Sequence, residues 1–223
     1  MSTRRSFLGL AGLGTLAAAT GTTPLFGQKP TPTPRREPVT ETWDMSWTGK
    51  VTGKHKAVFD SPQINGGAGV MRAMLWRDEV KEVYGGDLAD ATSVLVLRHE
   101  AIPLVMDDEF WARYEVGKHV KMKDPATRRW YTKNPVRVSP PDTPGEWARY
   151  NLDTFIKEGG IVLGCGLAFK GMVGGVAQKD KISPEDADKL ARQHLLPGVT
   201  LQPSGIFAVL SAQETGCNFF PAS

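Results

Sequence analysis

The sequence contains few cysteines and histidines, and this scarcity excludes several classes of protein. Two cysteines and four histidines occur among 223 residues. Two cysteines, Cys165 and Cys217, are too few for a disulfide-rich scaffold. His55, His119 and His194 have no partners at the spacing of metal ligands, and no internal repeat is visible. The sequence therefore predicts no metal site and no bound cofactor.

A strong imbalance of charge is also absent. The chain has 27 Lys and Arg against 24 Asp and Glu, a formal net charge of +3. If Arg4 and Arg5 are removed with a leader, 25 basic residues face 24 acidic ones, which leaves +1. This balance argues against a nucleic-acid binder, whose binding face would be basic. The apolar run near the start is shorter than the about 20 residues that span a bilayer, so no stable membrane span is predicted after signal cleavage.

The first 27 residues resemble an export signal. Arg4 and Arg5 precede an apolar run, rich in Gly and Ala, that extends from Leu8 to about Ala19. This arrangement predicts a twin-arginine signal peptide over residues 1–27 and a periplasmic mature protein. An uncleaved N-terminal anchor is the alternative. Removal of the leader would leave about 190 to 200 residues, enough for one domain with a core.

Residues 28–54 are predicted to form a proline-rich linker that ends in an N-terminal arm. Four prolines within nine residues favour extended polyproline II backbone, at Pro30, Pro32, Pro34 and Pro38. Trp43 and Trp47 are too apolar for a plain linker, so we expect them to dock onto the domain. Stacking on a ligand is the alternative use of these two rings.

Residues 55–223 alternate short apolar runs with segments of helical periodicity. The predicted strands are 56–60, 93–98, 161–163, 199–202 and 217–220. The predicted helices are 70–84, a short helix capped by Asp107, 147–158 behind a capping box at 143–146, a helix after Cys165, one from 183 and one over 205–215 capped by Ser204. Five strands alternating with helices predict an α/β three-layer sandwich with a mostly parallel five-stranded sheet.

Cys165 occupies the most informative position in this pattern. It follows the strand 161–163 and is flanked by Gly164 and Gly166, and an apolar segment of helical length comes after it. A strand that feeds a helix leaves the intervening turn at the carboxyl edge of the sheet, where open α/β sheets bind ligands. The N–H groups at the helix start would favour a Cys165 thiolate. A small buried cysteine with a purely structural role is the alternative.

Further candidate site residues follow the other predicted strands. Asp60, Asn65, His99, Glu100 and Ser204 all fall at carboxyl ends of strands or just beyond, so they could share one crevice with Cys165. We predict a ligand-binding role for six residues: Asp60, Asn65, Glu100, Gly164, Gly166 and Ser204. His99 is a candidate proton relay, with a structural histidine as the alternative. The glycine-rich run 65–69 lacks the Gly-Lys-Ser/Thr ending of a phosphate-binding loop.

A basic insertion at about 118–143 interrupts the alternation. Residues 118–137 carry seven Lys or Arg and only one acidic residue, Asp124. A loop of this length without clear periodicity is unusual in a compact domain unless it has a function. It could be a lid over the sheet edge, an intersubunit arm or a merely solvated loop.

Three segments resemble the DsrE family, the DsrE, DsrF and TusD-like sulfur-relay proteins. They are residues 162–168 around Cys165, residues 197–205 and residues 210–216. The resemblance extends over roughly 56–220 and leaves the basic insertion unmatched. It implies a flavodoxin-like α/β fold in trimers or hexamers, and it implies that Cys165 carries a persulfide.

The resemblance predicts an exported DsrE-like protein that handles sulfur as a persulfide or thiol on Cys165. Its ligand would be a small sulfur-containing or anionic molecule. The sulfur relay of the family operates in the cytoplasm, so an exported member departs from the pattern. The alternative is a non-catalytic module of the same fold that binds a small ligand or builds an oligomer, and enzymatic activity stays open. An apolar helix surface at 206–210 favours a homo-oligomer.

The two cysteines are predicted not to form a disulfide. Cys165 lies at the carboxyl end of its strand and Cys217 at the amino end of another, about 13 Å apart along parallel strands. We expect the strand 199–202 to lie between them as well. A disulfide needs Cα atoms within about 7 Å, so both thiols should be free.

Overall fold

The computed structural model describes residues 43–223, and five parallel strands form one sheet within this range. The predictions for the signal peptide and for most of the linker concern residues 1–42 and lie outside the described residues. The strands are β1 (His55–Ser61), β2 (Ala91–Leu97), β3 (Ile161–Cys165), β4 (Val199–Gln202) and β5 (Asn218–Pro221), in the order β4-β3-β2-β1-β5. The predicted α/β, flavodoxin-like three-layer fold is confirmed, and the sheet is parallel throughout.

Within residues 43–223, seven α-helices connect and cover these strands. They are α1 (Ala68–Tyr84), α2 (Asp108–Arg113), α3 (Val116–His119), α4 (Leu152–Lys157), α5 (Gly166–Asp180), α6 (Pro184–Gln193) and α7 (Gly205–Glu214). Predicted caps are present: Asp107 accepts a hydrogen bond from the Phe110 N–H, and Ser204 accepts one from the Phe207 N–H. Short 3-10 helices occur at Ser46–Lys50, Asn65–Gly67, Leu88–Asp90, His99–Val105 and Gly145–Arg149. No helix within residues 43–223 is long and apolar enough to cross a membrane.

The strand order explains why the two faces of the sheet differ. From β1 to β4 each strand is added beside the previous one in the same direction, and right-handed crossovers place α1 to α6 on one face. The last connection returns across the whole sheet to reach β5, so α7 lies on the opposite face. The larger core cluster contains Phe110, Phe155 and Phe169 from the first group of helices. The smaller cluster contains Ala208, Val209 and Ala212 of α7 together with Trp47.

The central strand β2 shows how the two clusters divide the side chains. Leu95 and Leu97 belong to the larger cluster, whereas Val94 and Val96 belong to the smaller one. This alternation is the period of two that a strand imposes on its side chains. Because both faces of the sheet are covered, every residue of β2 is buried.

The prediction of a single helix over residues 147–158 is wrong. A 3-10 helix, Gly145–Arg149, precedes α4, and Asn151 caps α4 by accepting a hydrogen bond from the Thr154 N–H. Pro144 precedes the 3-10 helix without a side-chain cap. The N–H groups of Leu152 and Asp153 donate to the carbonyl oxygens of residues 136 and 137 in the basic insertion, at 2.8 and 3.1 Å. These long-range bonds replace the hydrogen bonds that would continue a single helix.

Cys165 and Cys217 are both free thiols, as predicted. Between their strands lie β2 and β1, whereas β4 lies beyond β3 at the edge of the sheet. The expectation that the strand 199–202 separates the two cysteines is therefore wrong. The reason is that only the return crossover through α7 changes the direction in which strands are added.

Candidate functional site

The carboxyl ends of the strands meet at one edge of the sheet, and Cys165 lies there as the last residue of β3. Its Sγ atom caps α5 by accepting a hydrogen bond from the Ala168 N–H at 3.4 Å. The residue is 6% exposed. The thiol therefore lies at the positive end of a helix of 15 residues, just beneath the surface.

Arg98 and Asp60 form an ion pair at the same edge. The guanidinium donates from Nε to Oδ1 at 2.6 Å and from Nη2 to Oδ2 at 2.7 Å, a bidentate arrangement. These bonds to Asp60 raise the pKa of Arg98, and the charge of a Cys165 thiolate raises it further. Gly205 makes room for this arginine, because a Cβ atom there would collide with the Arg98 side chain. Arg98 therefore interacts electrostatically with Cys165 as well as with Asp60.

The N-terminal arm, residues 43–54, closes over the turn that follows Cys165. A Cβ atom at Gly166 would lie 2.6 Å from the carbonyl oxygen of Gln202 and 3.0 Å from the Trp43 ring, so only glycine permits this approach. The Gln202 side chain is fully buried and donates from Nε2 to the Asp44 carbonyl at 2.8 Å. Its Oε1 atom has no hydrogen-bond partner among residues 43–223. The predicted docking of Trp43 and Trp47 is confirmed, with Trp47 buried beneath α7.

A cleft of about 780 Å³ opens at this edge of the sheet. Asn65, His99 and Glu100 contribute to its walls, so the structure brings together three of the predicted site residues. Ala168 lines it as well, and the amide of this residue contacts Cys165. Cys165 itself is not part of the lining. The thiol is therefore in contact with a wall residue of the cleft, Ala168, but does not itself line the cleft.

The remaining predicted site residues have other surroundings. Asp60 is held by Arg98, and Ser204 caps α7. Gly164 is packed in the core, where a Cβ atom would lie 2.8 Å from the Leu201 side chain. His99 is exposed with a φ of 51°, at the start of the 3-10 helix His99–Val105. A proton relay from His99 to Cys165 stays a prediction.

The first part of the basic insertion lines the cleft, and a later part is fastened to the domain. Residues 119–122 form one side of the cleft. Asn134 is buried and donates from Nδ2 to the carbonyl oxygens of Leu104 and Met106, both at 2.8 Å. Arg137 pairs with Asp108 and Asp153 at 3.1 Å each. Residues 119–122 thus lie at the sheet edge, as the lid alternative requires.

Sequence reasoning missed Arg98 and Gln202 as site residues. Both were predicted only as the last residues of strands. A charged residue at the end of a buried strand was the signal that could have identified Arg98. The partner of Arg98 is 38 residues away and that of Gln202 is 158 residues away. Such contacts follow from strand order rather than from local sequence.

Comparisons with known proteins do not assign the chain to a family. No model of a known protein family matches the chain, and no curated protein matches it significantly. The DsrE resemblance therefore stays a prediction. Within residues 43–223, no group of three or more His, Cys, Asp or Glu side chains could hold a metal ion.

Proposed function

We propose that the protein is a sulfur carrier that holds a persulfide on Cys165. The observation that carries this proposal is the hydrogen bond that Sγ of Cys165 accepts from the Ala168 N–H at 3.4 Å, together with the electrostatic interaction between Cys165 and Arg98. Helix N-termini and neighbouring cations favour the thiolate, which is the nucleophilic form of cysteine. A persulfide anion on the same atom would gain from the same two groups. The DsrE resemblance of residues 162–168 is in accord with this role.

The proposed loading reaction uses a sulfane-sulfur donor such as inorganic polysulfide. The Cys165 thiolate attacks a sulfur atom of the donor, a new S–S bond forms on Sγ, and an S–S bond of the donor breaks. The shortened polysulfide leaves with the electron pair of the broken bond. The donor already holds sulfur at the required oxidation level, so the step needs no further oxidant.

Intact-protein mass spectrometry after incubation with polysulfide tests this proposal. We expect a gain of about 32 Da, one sulfur atom, that is lost on reduction. Cys165→Ala should abolish the gain, and Cys217→Ala should retain it. A gain that persists in Cys165→Ala, or no gain in the wild type, would exclude the carrier function.

A non-catalytic module that binds a small ligand is the second candidate. The cleft of about 780 Å³ favours it, because small-molecule sites occupy about 300 to 1,000 Å³. This function does not need the thiol. Ligand binding that is unchanged in Cys165→Ala, without any persulfide on the wild type, would select this alternative.

We further propose that the protein is exported to the periplasm and forms a homo-oligomer, a trimer or hexamer. The export proposal rests on Arg4 and Arg5, and the oligomer proposal rests on the apolar surface of α7. The double variant Arg4→Lys, Arg5→Lys should leave an unprocessed precursor in the cytoplasm. Normal export of this variant in cell fractionation would rule out the twin-arginine pathway.

A further inference from the structure

A second cavity adjoins the cleft on the side of α5. It has a volume of about 410 Å³ and lies between α5 and the segment that carries α2 and α3. Its wall is mainly apolar, formed by residues that include Phe110, Val116, Val120, Met172 and Val176. The two cavities share Pro103, His119, Val120 and Met172. The apolar cavity and the more polar cleft are therefore neighbours with common wall residues.

Two glycines of α5 leave this cavity open. Gly171 and Gly175 line it, and a Cβ atom at either position would meet nothing within 4 Å. Both lie inside a helix, where glycine costs about 0.5 to 1 kcal/mol relative to alanine. Neither has a positive φ, so backbone geometry does not require glycine there. Contacts within residues 43–223 give no reason for these glycines, whereas a bound molecule would use the space.

The polar end of the combined cavity carries mainly basic side chains. Lys121, His99 and His119 line the cleft, against the one carboxylate of Glu100. Lys121 is exposed and has no ion-pair partner among residues 43–223. An anionic group in the cleft would therefore meet a free ammonium group, while its apolar part would be buried against α5.

We infer that the two cavities form one site for a small amphipathic anion, with its apolar part against Gly171 and Gly175 and its anionic group near Lys121. The inference rests on the ligand-binding alternative for the cleft and does not involve sulfur chemistry at Cys165. The charge at one end and the apolar wall at the other together define the class of ligand.

Isothermal titration calorimetry of the full chain with octanoate tests the inference. Octanoate should bind, while acetate, which lacks the tail, and 1-octanol, which lacks the charge, should bind at least about tenfold more weakly. Lys121→Gln should weaken octanoate binding about threefold or more, and Glu100→Gln should strengthen it, because the latter removes a like charge. Equal binding of octanoate and 1-octanol would contradict the charged end of the site.

A pair of glycine variants separates the cavity from the rest of the helix. Gly175→Leu would place a side chain in the cavity and should weaken octanoate binding by about tenfold or more. Gly174→Leu is the matched control, because Gly174 also has open space around it but does not line the cavity. Leucine favours helix over glycine at both positions, so neither variant should unfold the protein. Thermal melting checks this point.

Two further outcomes complete the test. If both glycine variants weaken binding equally, or if both change the mass measured by light scattering, the glycine surface is a contact between chains and the inference fails. Retained octanoate binding in Cys165→Ala would support the site whether or not Cys165 carries sulfur. Binding that needs the thiol would overturn its independence from Cys165.

Discussion

At the scale of single residues, the reactivity of Cys165 depends on Arg98, which interacts with both Asp60 and Cys165. Its guanidinium donates two short hydrogen bonds to Asp60 and also interacts electrostatically with Cys165. Asp60 is buried, so its carboxylate is poorly screened by water. The negative charge of Asp60 therefore offsets part of the stabilisation that Arg98 could give to a thiolate.

This offset predicts opposite effects of two variants on the reactivity of Cys165. Asp60→Asn should raise the rate of alkylation by iodoacetamide at neutral pH, because the charge of Arg98 is no longer offset. The double variant Asp60→Asn, Arg98→Gln should lower the rate below that of the wild type. We expect changes of about fivefold, corresponding to about 1 kcal/mol.

Peptide mass spectrometry measures the alkylation of Cys165 separately from that of Cys217. Circular dichroism should show that both variants stay folded, since the double variant leaves no unpaired charge and the Arg98 side chain that loses its partner in Asp60→Asn is 31% exposed. If the double variant reacts as fast as Asp60→Asn, Arg98 does not act on the thiol.

Tyr114 offers a pH-dependent test of the wall between α2 and α5. Burial, together with the hydrogen bond that its hydroxyl donates to Asp180 at 2.6 Å, raises the pKa of Tyr114 to about 12. The folded state keeps this proton while an unfolded tyrosine, with a pKa near 10, loses it. Stability should therefore be unaffected by this group below pH about 10 and should fall as the pH rises towards about 12.

Absorbance titration at alkaline pH measures this ionisation. Tyr114→Phe should remove the component with a midpoint near 12, whereas Tyr84→Phe, at an exposed position, should leave it in place. Survival of that component in Tyr114→Phe would show that another tyrosine supplies it and would contradict the raised pKa of Tyr114.

At the scale of elements, one buried side chain contributes to fastening the basic insertion to the domain. Asn134 satisfies two carbonyl oxygens, those of Leu104 and Met106, in the segment that leads to α2. Asn134→Ala would leave both buried acceptors without a donor. We expect a loss of about 2 to 3 kcal/mol in the free energy of unfolding by urea.

The same variant should also loosen the insertion locally. Trypsin should cleave after Arg128 or Arg129 faster than in the wild type, because these exposed residues lie between the anchor and the cleft. Asp142→Ala, at an exposed position in the same insertion, is the control and should change neither quantity. Unchanged stability of Asn134→Ala would mean that the anchor lies elsewhere.

The sequence predicted those elements whose signals are local. Strand β4 has the predicted bounds, and Asp107 and Ser204 cap helices as expected, because apolar runs and capping side chains act within a few residues. The break before α4 could not be predicted, since it depends on hydrogen bonds to the distant residues 136 and 137. The 3-10 helix His99–Val105 contains Pro103 and lacks helical periodicity, so no local pattern indicated it.

The site was predictable to the same extent. Asn65, His99 and Glu100 share the cleft because parallel strands end at a common edge, which the alternation of strands and helices already implied. The contacts of Arg98 and Gln202 depend on which strands are neighbours. The depth of Cys165 depends on side-chain packing, so neither feature was visible in the sequence.

At the scale of the whole molecule, the surface of α7 carries exposed apolar side chains that no contact within residues 43–223 covers. Ile206, Phe207 and Leu210 are 68%, 41% and 55% exposed, although α7 is the helix that covers the second face of the sheet. Contiguous exposed apolar side chains of this kind mark contact surfaces between proteins. We expect this surface to join identical chains.

Light scattering at micromolar concentration should therefore report a trimer or hexamer for the wild type. Ile206→Asp combined with Leu210→Asp should give a folded monomer. Val83→Asp is the control, because Val83 is 71% exposed at the end of α1 and should not affect assembly. A monomeric wild type would contradict the proposed assembly.

The two cysteines allow the reactivity of Cys165 to be compared with that of a second thiol in the same molecule. They are almost equally buried, at 6% and 5% exposure, but their surroundings differ. Cys165 accepts a hydrogen bond from the N–H of Ala168, a residue that lines the cleft, and it interacts electrostatically with Arg98. Cys217 belongs to the small cluster beneath α7, where burial raises the pKa of its thiol.

The most direct measurement is therefore the rate at which each cysteine of the native protein reacts with iodoacetamide at pH about 7, resolved by peptide mass spectrometry. We expect Cys165 to react at least about tenfold faster than Cys217, and we expect this difference to disappear in urea. Equal rates in the native protein, or faster reaction of Cys217, would contradict the assignment of Cys165 as the active thiol.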